Sequence, residues 1–356
     1  MNIAVLGVGL IGGSIGLAAR ERLGAEVSGF DPAPEALAEA LAVGAIARPC
    51  ASVAEAVAGA DVAFVATPVG AVADTLRSAL HSADSSCVVS DVGSTKRAVV
   101  AAVADRRFIG GHPLAGAESA GVRHARADLF DGATWFLTPS ANTPGTLYER
   151  LHRLLVDVGA RPAAVDAVTH DRVMACVSHL PHVLANVMVA QAAHLLDEHG
   201  ERLPHAGPSL RDATRVAGAN TDMWRDVYLS NADVLVEAID ECVGRLQEVR
   251  RALAARDADA ITTWNDAARE DRRALLEADH GGGPVHELRV SVPNRPGVVA
   301  EVALSLGGAG VNIADMALHP APDGRSGWIG LWIAGAGPTA QAERLVGELG
   351  LAVSRP

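Results

Sequence analysis

The segment Gly7-Val8-Gly9-Leu10-Ile11-Gly12 constrains this chain more than any other. It follows the apolar run 3–6 at once and opens an Ala/Leu-rich stretch that reads as helix to about Arg22. Residues 27–30 then read as a second strand, closed by Asp31, nineteen positions after Gly12. A lone GxGxxG says little. Placed between a strand and a helix, with an acidic residue closing the next strand, it is the signature of a dinucleotide site. Gly7 permits the tight turn, Gly9 lets the backbone approach a pyrophosphate, and Gly12 lets the helix pack closely on the sheet. The helix N-terminus favours the phosphate charge. Asp31 is placed to accept hydrogen bonds from ribose hydroxyls and would repel a 2′-phosphate, which favours NAD over NADP. The competing reading is a plain strand–helix turn with Asp31 as a helix cap.

The alternation continues along the chain. Residues 61–66 read as a strand ending at Thr67-Pro68, and 88–90 as another ending at Asp91-Val92-Gly93-Ser94, with helical stretches between. Short apolar strands alternating with helices predict a parallel, doubly wound α/β sheet of Rossmann type over 1–166, which 135–137 and 161–165 would extend. The expected cofactor set is Gly7, Gly9, Leu10, Ile11, Gly12, Asp31, Thr67 and Pro68. From 167 the strand signals stop, and 167–280 reads as an all-α helical domain. Pro181 is expected to kink its first long helix. Leu235, Ile239, Cys242, Leu246 and Val249 recur at helical spacing, as one buried face should. The run 281–284, Gly-Gly-Gly-Pro, reads as a linker. Beyond it, 285–356 follows the order β-α-β-β-α-β of a ferredoxin-like module.

Composition removes several function classes. The formal net charge of -12 argues against nucleic-acid binding, because an acidic surface repels phosphate backbones. Cys50, Cys87, Cys176 and Cys242 form no CxxC pair, so a zinc or redox motif is unsupported and a reduced, cytoplasmic setting is expected. The uncharged run 3–19 lacks a basic leader, is short for a membrane span and is rich in glycine, so neither signal peptide nor membrane association is expected.

The run Gly110-Gly111-His112-Pro113-Leu114-Ala115-Gly116 places a histidine among glycines and a proline, on what reads as a constrained loop. In a Rossmann protein, loops after the strands line the ligand crevice. This run, with Glu118 and with 91–96 (Asp-Val-Gly-Ser-Thr-Lys) before it, resembles the prephenate/arogenate dehydrogenases of tyrosine biosynthesis. So do 177–182 (Val-Ser-His-Leu-Pro-His), 211–215 (Arg-Asp-Ala-Thr-Arg) and 223–226 (Met-Trp-Arg-Asp). The resemblance covers residues 1 to about 280, with the motifs in order.

The resemblance implies NAD-dependent oxidative decarboxylation of prephenate to 4-hydroxyphenylpyruvate, with arogenate as the alternative substrate. Hydride leaves the carbinol carbon for the nicotinamide, the hydroxyl loses its proton, and loss of CO2 makes the ring aromatic. By resemblance His112 is the base, a role that suits an imidazole, and Ser94 is its partner, fixing its tautomer. Ser94 also reads as a helix N-cap. Arg215 matches the arginine that clamps the substrate carboxylate, and Arg211 lies one turn earlier. His179 and His182 line the substrate pocket, Ser178 stands near the nicotinamide, and Trp224 is a pocket residue or a packing tryptophan. An HxxH metal reading of His179 and His182 lacks a third ligand, so no metal is expected. Glu118 is placed to sense the substrate side chain, where arogenate carries an ammonium in place of the keto group.

The tail resembles an ACT domain. There Asn294, Gly297 and Asn312 mark segments that bind amino acids, and L-tyrosine is the expected effector; a domain serving assembly alone is the alternative. The helical domain is expected to form a homodimer. Two other classes fit the residues less well. A 3-hydroxyacid-type dehydrogenase would place a lysine in the helical region, and 167–278 has none. A non-catalytic NAD- and amino-acid-sensing regulator would need neither His112, Ser94 nor Arg215.

Overall fold

The computed structural model describes residues 1–116, 120–199, 207–279, 284–293, 295, 298–311, 313–321 and 325–355. Strands β1 (Asn2–Leu6), β2 (Glu26–Phe30), β3 (Arg48–Pro49), β4 (Val62–Val65), β5 (Val88–Asp91), β6 (Phe108–Pro113), β7 (Thr134–Thr138) and β8 (Arg161–Ala164) form one sheet in the order β3-β2-β1-β4-β5-β6-β7-β8. The first six strands pair in parallel, β7 runs antiparallel to β6, and β8 is parallel to β7. The order reverses between β1 and β4, so the carboxyl ends of these strands open a crevice there.

Successive residues of each central strand serve two different cores. Ile3, Val5, Val62 and Phe64 join the cluster on one face, while Ala4, Leu6, Ala63 and Val65 join the cluster on the other. Both faces are covered, which is why these strands read as continuous apolar runs rather than as alternating ones. The helix Leu10–Leu23 packs on one face through Ile15, Ala18 and Ala19.

The helical region comprises Ala167–Met174, a π-helical turn Ala175–His179, and Leu180–His199. Pro208–Thr214, a 3₁₀ turn Arg215–Gly218, Thr221–Ser230, Ala232–Ala255 and Ala258–Asp279 follow. Just before Pro181, where a kink is expected, the helix widens into the π turn Ala175–His179. Proline lacks an N–H and its ring clashes with the carbonyl four residues back, and a widened turn relieves both. The helical face expected to be buried is only partly so. Leu235 is buried and Ile239 half-buried, but Leu246 is 58% exposed.

The chain forms two compact units, Met1–Cys242 and Val243–Pro356. In the second, β9 (Val285–Pro293), β10 (Ile313–Pro320), β11 (Ser326–Ala334) and β12 (Ala352–Ser354) form an antiparallel sheet in the order β10-β11-β9-β12. The helices Val298–Gly308 and Ala336–Glu348 complete the expected β-α-β-β-α-β order. Leu288, Val290, Ile329, Leu331 and Ile333 bury one face of the sheet against Val302, Leu306, Ala342 and Val346.

Candidate active site

The three glycines of the first turn do different work. Gly7 has φ +97°, and a Cβ there would stand 2.5 Å from the Ala66 carbonyl oxygen. A Cβ on Gly9 would meet no atom within 4 Å, so the side of the loop a ligand would approach is open. Gly9 also begins the helix Leu10–Leu23 without a side-chain cap, which leaves its first N–H groups for an anion. Asp31 accepts from the Val8 N–H (3.0 Å) and the Ala33 N–H (2.9 Å), so it braces the glycine loop and still has lone pairs to offer a ribose hydroxyl. Ala33, not Asp31, is the N-cap of the next helix. Leu10 and Ile11 are half-buried against the sheet core. Across the switch point, Thr67 follows β4 with its Oγ1 buried and unpartnered, and Pro68 starts the helix Val69–Ser82. A buried hydroxyl without a partner beside an uncapped helix N-terminus fits a dinucleotide.

His112 lies in β6, not in a loop. Gly110 and Gly111 are there for close packing: a Cβ on Gly110 would stand 2.3 Å from Thr138 Oγ1, and one on Gly111 2.5 Å from the Asp91 carbonyl. The strand therefore runs on to pair His112 with Phe136 of β7. Beneath it lies a buried ion pair between Asp91 and Lys96, the chain's single lysine. Asp91 also accepts from the Gly93 N–H (2.8 Å) and the Gly111 N–H (3.1 Å). These bonds tie β5, its following loop and the histidine strand together. Burial pushes the Lys96 ammonium down, and its pairing with Asp91 opposes this.

Ser94 is half-buried in that loop. It is not the N-cap of the next helix, Arg97–Ala102, which begins at Lys96. That helix is capped from elsewhere: Asp171 accepts from the Lys96 N–H (2.7 Å) and the Arg97 N–H (2.9 Å). Asp171 also bonds His170 Nδ1 (2.8 Å), and His170 Nε2 lies 2.9 Å from His112 Nδ1. Sequence reading misses His170 and Asp171. Their signal is faint: two polar residues on the same buried side as Met174, at the start of an otherwise ordinary helix. Burial alone would raise the Asp171 carboxyl, but hydrogen bonds from His170 and the two backbone groups hold it below the usual range. Burial, with His170, Lys96 and His179 nearby, pushes His112 well below the ordinary histidine value.

The π turn adds further members to this cluster. His179 is buried, with Asn231 Nδ2 3.3 Å from its Nδ1, and Asn231 also donates to the Asp171 carbonyl (2.8 Å). Burial pushes His179 down to about 4, against the pull of Asp171. His182, one turn on, is buried, and its Nδ1 bonds the Tyr228 hydroxyl. Trp224 lies flat on His182, with ring centroids 3.7 Å apart and planes 3° apart, and meets His179 edge-on at 6.2 Å. Asn220 caps the Trp224 helix, accepting from the Met223 N–H (3.0 Å). The structure thus joins His112, His170, Asp171, Asn231, His179, Trp224 and His182 in one contiguous network.

Ser178 is half-buried in the same π turn. Arg215 is exposed and opens the 3₁₀ turn, whereas Arg211 sits in the last turn of the preceding helix, so the two do not share one continuous α-helical face. Among the described residues, no group of three His, Cys, Asp or Glu side chains is arranged to hold a metal ion. Glu118, Asn294, Gly297 and Asn312 lie outside the described residues.

Comparison with known proteins places these features in context. The family model of the prephenate dehydrogenase nucleotide-binding domain matches residues 15–164, and that of the prephenate dehydrogenase dimerization domain matches 166–265. The prephenate dehydrogenase of Bacillus subtilis (strain 168) is 32% identical over 324 residues, covering 88% of this chain and 87% of that protein. A cyclohexadienyl dehydrogenase of Zymomonas mobilis is 30% identical over 287 residues, covering 78% of this chain and 97% of its own. The crystal structure of prephenate dehydrogenase from A. aeolicus, in complex with hydroxyphenyl propionate and NAD+, superposes with a TM-score of 0.70 at 26% identity. It covers 76% of this chain and 97% of that one.

Proposed function

The chain belongs to the prephenate dehydrogenase family, and on that premise we propose that it catalyses the NAD-dependent oxidative decarboxylation of prephenate to 4-hydroxyphenylpyruvate. The observation that carries this reading is His112: an imidazole at the carboxyl end of a sheet strand, kept neutral by burial. A neutral imidazole is what proton removal from the ring hydroxyl requires. The glycine turn, Asp31 and Thr67 would hold NAD, which supplies the hydride acceptor.

The protein's own part is positioning and proton transfer. His112 takes the hydroxyl proton, with Ser94 as the partner of that histidine. Arg215 binds a substrate carboxylate through two parallel hydrogen bonds. His179, His182 and Trp224 form the wall against which the ring lies, Ser178 faces the nicotinamide, and Glu118 reads the side chain. Arogenate is the alternative substrate, and the cyclohexadienyl dehydrogenase relative gives it weight.

We assign residues 1–166 to cofactor binding, 167–280 to substrate binding and dimerisation, and 285–356 to regulation. Val177, Val187, Leu229 and Val236 are each more than half exposed, which supports a homodimer formed through this helical region. By length and composition the run Ala167–His194 would suffice to cross a membrane. However, His170, Asp171, His179 and His182 are buried and hydrogen-bonded within it, as in a helix packed in protein, and a cytoplasmic enzyme is the consistent reading. The Bacillus alignment, at 324 residues, is longer than residues 1–280, so that similarity extends into the tail. We read the tail as an ACT domain that binds L-tyrosine as inhibitor through Asn294, Gly297 and Asn312. Deleting residues 284–356 should abolish tyrosine inhibition, and unchanged inhibition would defeat the regulatory reading.

The deciding experiment offers prephenate and arogenate separately, with NAD, and follows NADH. Turnover of prephenate that falls by about 10³-fold in His112→Ala is the expected result. Turnover of arogenate alone would change the substrate. No turnover of either, with NAD still bound, would overturn the dehydrogenase reading.

A further inference from the structure

We propose that His170 and Asp171 are positioning residues that fix His112 as a single tautomer, with Nδ1 carrying the proton and Nε2 bare for the reacting hydroxyl. This rests on the reading of His112 as the base.

The order of protons follows from one chain of hydrogen bonds. The Asp171 carboxylate is fully buried and already accepts two backbone N–H groups, from Lys96 at 2.7 Å and Arg97 at 2.9 Å. An ionised carboxylate only accepts. His170 Nδ1, 2.8 Å from Asp171 Oδ1, must therefore be the donor of that bond. With Nδ1 as its one donor in the proposed order, His170 accepts at Nε2. Its partner, 2.9 Å away, is His112 Nδ1, which must donate. That leaves His112 Nε2 with a lone pair.

The surroundings hold this order in place. The His170 ring is wedged between His112, at 68° and 5.1 Å, and Phe136, at 86° and 5.6 Å. Asn231 holds the Asp171 carbonyl at 2.8 Å. The titratable groups around His112 are His170 and Asp171 from the helix Ala167–Met174, Asp91 and Lys96 from β5 and its following loop, and His179 from the π turn. When Nε2 takes a proton, the imidazolium still donates Nδ1–H to His170, whose own donor faces the Asp171 charge. The carboxylate thus stabilises the cation through an intervening ring, with no proton required to move between residues.

The test reads the ring nitrogens of His112 directly, by long-range ¹H–¹⁵N correlation of the whole enzyme, alongside steady-state kinetics. Wild type should show Nδ1–H and a bare Nε2 at neutral pH. In Asp171→Asn, an NH2 at the Oδ1 position donates to His170 Nδ1 and gives up the Lys96 N–H bond, while the amide oxygen at the Oδ2 position keeps the Arg97 N–H bond. Both rings then invert, placing a proton on His112 Nε2, and kcat should fall by about 10⁴-fold, the scale seen when a carboxylate behind a catalytic histidine becomes an amide. Asp171 also caps the helix Arg97–Ala102, so His170→Asn serves as the second variant. There the His112 tautomers should mix, and kcat should fall by about 10²-fold with the prephenate KM nearly unchanged.

A wild-type His112 protonated at Nε2, or a His170→Asn enzyme with unchanged kcat, overturns the proposal. His112→Ala with full turnover would instead overturn the base reading on which it rests, and the tautomer spectrum separates the two failures.

Discussion

A Cβ built on Gly12 would stand 1.9 Å from the carbonyl oxygen of Gly7, inside any permissible contact. Gly9, between them, meets nothing within 4 Å. The two positions therefore separate packing from cofactor binding. Gly12→Ala should destabilise the protein by about 3 kcal/mol, because the helix Leu10–Leu23 has to move off the turn. Gly9→Ala should leave stability within about 0.5 kcal/mol of wild type while weakening NAD binding. Thermal unfolding without cofactor, paired with NAD titration, measures both. Equal stability losses in the two variants would contradict the division.

Asp31 holds the Val8 N–H at 3.0 Å and the Ala33 N–H at 2.9 Å. Its carboxylate braces the glycine loop, and we propose that it also disfavours a 2′-phosphate. Asp31→Ser should lower kcat/KM for NAD by about 10–100-fold, the scale of a lost hydrogen bond to a charged group, and narrow the preference over NADP. Kinetics with both cofactors reads this. An unchanged NAD to NADP ratio would show that the carboxylate does not meet the ribose.

The legibility of the site depends on whether the governing contact is local in sequence. The glycine turn is readable because its main demands are local: Gly7 turns the backbone at φ +97° and Gly12 packs on the Gly7 carbonyl, although the close approach of Gly7 to Ala66 is not local. His112 is legible as chemistry but not as structure. Its flanking glycines suggest a loop, whereas they clear room for Thr138 and the Asp91 carbonyl, contacts that only the folded sheet creates. Ser94 reads as a cap because a helix follows, yet the cap comes from Asp171, 75 residues away for the Lys96 N–H. No local pattern encodes that bond. Leu246 fits the helical spacing of a buried face and is exposed in the single chain. Periodicity marks a face that prefers to leave water, but not whether its own chain or a partner covers it. The strands of the tail are legible because alternation within them suffices: Leu288, Val290 and Val292 are all buried.

Trp224 stacks flat on His182, with ring centroids 3.7 Å apart. A stacked aromatic pair contributes about 1 kcal/mol beyond its area. Trp224→Phe should preserve most of this and most of the activity. Trp224→Ala should cost stability on that scale and raise the prephenate KM more than it lowers kcat, because His182 loses the surface that orients it. Equal losses in kcat for Phe and Ala would point instead to a chemical role for the indole.

Acid should unfold this protein from a higher pH than its carboxylates alone would dictate. His112, His179 and His182 are all depressed by burial, His179 to about 4. In the unfolded chain each returns to an ordinary value of about 6.5. Between those limits the unfolded state binds more protons than the folded one, so stability rises with pH across the window and is lost as pH falls from about 6.5 towards 4. For His179 the full loss is on the order of 3 kcal/mol. Asp171, held low by its hydrogen bonds, adds a loss of the same sign, but only below the ordinary carboxylate range. The upper part of the acid limb therefore belongs to the histidines. Thermal midpoints taken at half-unit steps from pH 8 to 4 should be level above pH 7 and fall steadily below 6.5. His179→Gln should start from a lower midpoint at neutral pH and fall less steeply. If the variant keeps the wild-type slope, the His179 ring is not the group that acid must charge.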